Sequence, residues 1–120
     1  MKIKILTTFL SILFLASGVA KVLGLEFETE AFQRWEYPTW FMYMIGFLEV
    51  SGAVALMIPK LATLAALALS GVMVGAVFTH LIYAEWVMLL VASIILGLAI
   101  WRTYSGRADL LALCRLIKGS

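Results

Sequence analysis

The sequence predicts an all-α fold, a four-transmembrane-helix antiparallel bundle, on three observations. Hydrophobic residues make up 64% of the 120 positions and charged residues 13%, against about 45–50% apolar and about 25% charged in a soluble domain. The mean hydropathy is +1.07. The apolar residues also fall into four runs of near-spanning length, and about 20 such residues cross a bilayer as a helix. The chain is expected to form a single integral membrane domain over 1–120, with lipid as the solvent for most of its surface.

The four runs are expected at about 5–24, 40–58, 61–83 and 86–101, followed by a short tail over 102–120. Between the first two lies the one substantial loop, Leu25 to Thr39, which carries Glu26, Glu28, Glu30, Arg34 and Glu36. Trp35, Tyr37 and Trp40 read as an interfacial aromatic belt. Pro59-Lys60 stops the second run, and Ala84-Glu85 divides the third from the fourth, so tight turns make antiparallel neighbours. In the tail, Leu110, Leu113, Cys114 and Ile117 set against Asp109, Arg115 and Lys118 suggest a short helix lying on the membrane surface.

Seven of the nine basic residues, Lys2, Lys4, Lys60, Arg102, Arg107, Arg115 and Lys118, fall on one side of the expected topology. Short cytoplasmic segments hold such an excess, so both termini are expected on the cytoplasmic side. The opposite side is acidic, with Glu26, Glu28, Glu30, Glu36 and Glu85. The first 20 residues also resemble a cleavable signal peptide. Against that stands the loss of a helix whose Ser17 and Gly18 are suited to close packing.

Small residues mark helix contacts in lipid. Gly46, Gly52 and Ala53 serve the second helix, Gly71, Gly75 and Thr79 the third, and Ser93 and Gly97 the fourth. Gly71-x-x-x-Gly75 is expected to pack within the bundle first, with homo-oligomer formation as the alternative.

Basic residues at the ends of apolar runs, rather than on a soluble face, exclude nucleic acid as a partner. One cysteine and one histidine allow neither an internal disulfide nor a metal site of ordinary ligand spacing. Ionisable groups within membrane runs are costly and mark functional candidates. Lys21, Glu49 and His80 are such groups, and Glu85 follows at the turn, where it reads as solvated.

Helical spacing puts Ser17, Gly18 and Lys21 on one face, Gly46, Glu49 and Ala53 on another, and Met73, Ala76 and His80 on a third. These faces define one pocket under the acidic, aromatic loop. Glu49 would pair with Lys21 or His80, although it lies roughly 13 Å below the start of its helix and Lys21 about 5 Å from the end of its own. The lysine stem must then bend inward. A protonated Glu49 would instead donate a hydrogen bond to a carbonyl, such as that of a quinone head group.

The segments Phe14 to Lys21, Tyr37-Pro38, Ile45 to Gly52, Ile58-Pro59-Lys60 and Met73 to His80 together resemble the DoxX-like family over about Leu6 to Arg102. The resemblance implies a small four-helix membrane protein of bacterial type, located in the inner (cytoplasmic) membrane. It also implies that Lys21, Glu49 and His80 are motif positions. Members of the family belong to a thiosulfate:quinone oxidoreductase, associate with complexes that protect thiols, or assist receptor assembly.

The expected function is an accessory or catalytic subunit of a quinone-linked redox system. Glu49 and His80 would be the catalytic pair, and Lys21, Tyr37, Glu49, Thr79 and His80 the ligand-binding set. The alternative is a non-catalytic scaffold or assembly factor for a partner membrane protein. A small transporter is a third reading, disfavoured by the lack of broken helices and inverted repeats.

Overall fold

The computed structural model describes residues 2–119, with the side chains of Leu113 and Gly119 outside the description. Six helices follow one another: α1 (Lys2–Val22), α2 (Glu26–Arg34), α3 (Thr39–Leu56), α4 (Ala62–Ile82), α5 (Trp86–Ser105) and α6 (Arg107–Gly119). Among the described residues there is no strand. Helices α1, α3, α4 and α5 are long and apolar enough to cross a membrane. Their exposed Ile, Leu, Val and Phe side chains form the lipid-facing surface, because nothing but hydrocarbon covers them favourably.

Helix α1 lies along α3, and α5 along α4. The two hairpins meet chiefly where α3 crosses α4, and α1 and α5 touch only lightly. Leu10, Phe14, Ala53, Leu56, Ala66 and Leu69 fill the centre. The closest approach is between α1 and α3. A Cβ placed on Gly18 would lie 2.8 Å from the Gly46 carbonyl oxygen and from the Val50 nitrogen. Only hydrogen fits there, so the two backbones nearly touch.

The acidic loop, unlike the sequence expectation, contains α2, whereas the tail carries the expected short helix as α6; α5 runs past residue 101 to Ser105. Arg102 continues α5 by a turn because it is drawn inside: 7% exposed, it donates from Nε to Thr7 Oγ1 at 2.7 Å and from Nη1 to Thr63 Oγ1 at 3.2 Å. A side chain counted from sequence as a terminal charge therefore ties α1, α4 and α5 together. Gly106 is needed at the α5–α6 junction, since a Cβ there would fall on Thr63 Oγ1.

Gly71, Gly75 and Gly97 correct a second expectation. A Cβ on any of them would meet nothing within 4 Å, so they form no seam inside the bundle. Packing within the chain is carried instead by Gly18, Gly46 and Gly52.

Helices α1, α2 and α4 all end in the same way, with a residue at positive φ just beyond the last turn: Gly24 (65°), Glu36 (61°) and Ala84 (55°). In each, the next amide returns to a carbonyl five residues back: Leu25 to Ala20 at 3.1 Å, Tyr37 to Phe32 at 2.9 Å and Glu85 to His80 at 2.9 Å. These are Schellman caps. The left-handed conformation is unfavourable for Glu36 and Ala84, which carry a Cβ. Each cap fixes the residue after it, and so sets the positions of Tyr37 and Glu85.

Candidate functional site

A cavity of about 350 Å³ lies between α1, α3, α4 and α5 under the roof made by α2. That volume is at the lower end of the range for small-ligand sites. Its floor and sides are apolar: Phe14 from α1, Ile45 from α3, Met73 from α4, and Ala92 and Ile95 from α5. The roof is aromatic. Phe32 packs edge-on against Trp35 at 5.2 Å between centroids, and Tyr37 against Phe41 at 5.3 Å. Glu28, Phe32 and Trp35 stand at i, i+4 and i+7 along and just beyond α2, so one helix face presents all three to the cavity.

Two polar clusters face this space. The first is built on the close α1–α3 crossing. A Cβ on Gly46 would lie 2.8 Å from Lys21 Cβ, so the lysine stem starts against α3 about one turn above Glu49 and runs down to it. Lys21 Nζ reaches Glu49 Oε1 at 2.9 Å and donates to Ser17 Oγ at 2.8 Å. The Ser17 hydroxyl donates in turn to Glu49 Oε2 at 3.2 Å. Glu28 Oε2, from α2, is 3.2 Å from the same ammonium. It is buried and accepts no hydrogen bond among the described residues. One cation thus serves two carboxylates.

The second cluster is built on the α4 cap. His80 and Glu85 are five residues apart, the pair that a Schellman cap brings together. His80 Nδ1 lies 2.8 Å from Glu85 Oε1. Trp35 Nε1 donates to the same oxygen at 2.9 Å, and Arg34 Nε to the other at 3.0 Å. Tyr37 Oη lies 2.8 Å from Thr79 Oγ1, whose own proton goes to the Gly75 carbonyl at 2.9 Å. The tyrosine is therefore the donor of that pair.

Burial opposes the ionisation of Glu85, but the hydrogen bonds from His80, Arg34 and Trp35, with the Arg34 charge, outweigh it and hold the carboxyl below its ordinary 4.5. Its contribution to stability is complete above about pH 4.5 and is lost as pH falls below that value. The thermal midpoints of the wild type and of Glu85→Gln are accordingly expected to differ at pH 7 and to draw together as the pH falls below about 4.5. A gap that stays constant across that range would refute the assignment.

All five residues expected from sequence, Lys21, Tyr37, Glu49, Thr79 and His80, line this one cavity. Glu49 has Lys21 as its partner, whereas His80 pairs with Glu85 rather than Glu49. Glu85 is not the solvated turn residue that the sequence suggests: its side chain is 16% exposed and joins the roof to α4. Glu28 and Phe32 were legible only as residues of a loop, and their periodicity was the signal that marks them as one helix face. Among the described residues, no group of three or more His, Cys, Asp and Glu is placed to hold a metal ion.

Four helices of spanning length around a partly charged chamber define an integral membrane protein with an internal cavity. Sequence comparison gives the particular family: the family model described as DoxX-like matches residues 5–102, and the chain belongs to the DoxX-like family. The uncharacterized protein YdgD of Bacillus subtilis (strain 168) is 38% identical to it over 47 residues, which are 39% of this chain and 41% of that protein. The match thus spans less than half of the relative's length. No solved structure matches the chain.

Proposed function

We propose that the cavity is the quinone-type ligand site of a membrane redox system in which this chain is an accessory or catalytic subunit. The observation that carries the reading is one chamber with an aromatic roof, an apolar floor and two separate polar poles, Ser17–Lys21–Glu49 and Tyr37–Thr79–His80. A ring with polar oxygens on opposite edges fits such a division. A quinone supplies a two-electron, two-proton couple, the electrons being exchanged with a partner subunit or a reduced donor.

The chain's own part is to exclude water and to handle protons. Glu85 holds His80 through Nδ1, which orients the ring and leaves Nε2 as the nitrogen that exchanges a proton with the ligand. Glu49, held by Lys21 and Ser17, is the second carrier. The apolar flank of Leu13, Phe14, Met88 and Val91, where α1 and α5 barely touch, supports entry of the ligand from the bilayer. The concentration of seven basic residues at the α6 end supports cytoplasmic termini, in the inner membrane of a bacterium. A single domain over 1–120 is part of the same proposal.

A scaffold without catalysis is the second reading, favoured by exposed Gly71 on α4, where an added Cβ would meet nothing and another helix from a protein partner or a second copy has room to approach. Native mass spectrometry from the cell's own membrane separates the two. A quinone-sized mass that stays bound to the wild type and is lost in Glu49→Gln is the expected result. A stoichiometric protein partner with no small molecule would put the scaffold in its place.

A further inference from the structure

At the end of the bundle away from the α2 roof, Arg102 is a buried cation that the chain itself does not neutralise. Of its five N–H groups, Nε donates to Thr7 Oγ1 at 2.7 Å and Nη1 to Thr63 Oγ1 at 3.2 Å. The other Nη1 proton and both on Nη2 meet no acceptor among the described residues, and no carboxylate there makes an ion pair with the group. Its exposure is 7%. Two neutral hydroxyls and the partial negative charge at the end of α5 do not balance a whole charge taken out of water.

The surroundings add to the imbalance. Of the seven acidic residues only Asp109 belongs to this end of the bundle, and it is exposed. Lys2 and Lys4 at the start of α1, Lys60 in the α3–α4 turn and Arg107 at the start of α6 share this end; all are exposed and without an ion pair among the described residues. The guanidinium is held in place by Thr7 and Thr63 and by the bare Gly106, where a Cβ would lie 2.6 Å from Nη1. Nη2 keeps some accessible surface, because the one described side-chain nitrogen or oxygen that is both sealed and unpartnered is Glu28 Oε2. A fixed donor edge is thus presented from an otherwise buried side chain.

We propose that Arg102 is an anion receptor whose ligand is the phosphate group of an anionic membrane lipid. A planar guanidinium suits two phosphate oxygens, and the anion supplies both the missing charge and the missing acceptors. The lipid source follows from depth. Arg102 stands in the last turns of a helix of spanning length, with Trp101 and Tyr104 exposed on either side of it in sequence, and such rings sit at headgroup level. The site is separate from the cavity: Thr7, Thr63 and Arg102 are not among its lining residues.

The test is isothermal titration of the full chain in non-ionic detergent micelles with three probes: a short-chain phosphatidylglycerol, the phosphatidylcholine of the same chain length, and inorganic phosphate. One phosphatidylglycerol per chain is expected to bind about ten-fold or more tightly than phosphatidylcholine, whose own ammonium offsets its phosphate. Arg102→Gln, shown to be folded by its melting curve, is expected to bring that ratio below about three-fold. Should that variant not fold, Arg102→Lys keeps the charge but not the fork, and the same drop is expected. The double variant Lys4→Gln with Lys60→Gln is expected to keep most of the preference. Loss of the preference in the double variant as complete as in Arg102→Gln would make the binding a diffuse surface attraction and overturn the inference. Equal binding of the two lipids by the wild type would overturn it without any variant, and inorganic phosphate binding as tightly as phosphatidylglycerol would overturn the lipid as the source.

Discussion

Replacing Lys21 with methionine is expected to destabilise the protein by about 3–5 kcal/mol, the cost of removing one partner from a buried ion pair. Among the described residues the lysine is the one cation on that pole of the cavity, and its side chain is 12% exposed. Without it Glu49, which is 4% exposed, and Glu28 are left as two carboxylates facing an apolar chamber. The loss is electrostatic rather than steric, because methionine retains most of the stem that packs beside Gly46. The double variant Lys21→Met with Glu49→Gln is therefore expected to recover a large part of the stability, measured as thermal midpoint in detergent. A single variant as stable as wild type would show that the pair contributes nothing. Failure of the double variant to improve on the single one would assign the effect to packing.

The second large effect is expected at Gly18. Its missing Cβ is the space through which the α3 backbone passes, with the Gly46 carbonyl oxygen and the Val50 nitrogen both 2.8 Å from where that atom would stand. Neither backbone atom can rotate away, so valine must push α1 from α3. The expected cost is about 3 kcal/mol or more, at the upper end of overpacking. Separation of the two helices also draws Lys21 from Glu49, so ligand binding should fall together with stability. Gly71→Val supplies the control: its added atoms meet open space. A change within about 0.5 kcal/mol is expected there, as for an unconstrained surface position. Equal damage at both glycines, read from melting curves, would show that the seam lies elsewhere.

The four spans were legible in the sequence because hydrocarbon imposes a one-dimensional rule, that about 20 apolar residues must run without interruption. The motif residues were legible for a related reason: Lys21, Glu49 and His80 stand out because a charged or polar group in such a run is costly. Helix α2 was not. Nine residues with four charges, Glu26, Glu28, Glu30 and Arg34, show a loop-like composition. The helix is stable because Phe32 is buried against Trp35 and Phe41, and Glu28 reaches Lys21. Arg102 was misplaced for a similar reason, since its partners Thr7 and Thr63 are 95 and 39 residues away along the chain.

The sequence by itself thus determined the all-helical membrane fold, the approximate spans, and five residues of the cavity, all of them properties of single segments and their periodicity. The tertiary structure alone decided who pairs with whom. It joined His80 to Glu85 through the α4 cap, gave Lys21 two carboxylates instead of one, and left Gly71 and Gly75 out of the packed helix seams. The physical reason is that hydropathy is summed along one helix, whereas a hydrogen bond or an ion pair depends on a few tenths of an ångström between helices. That distance is set by where two glycines let their backbones meet.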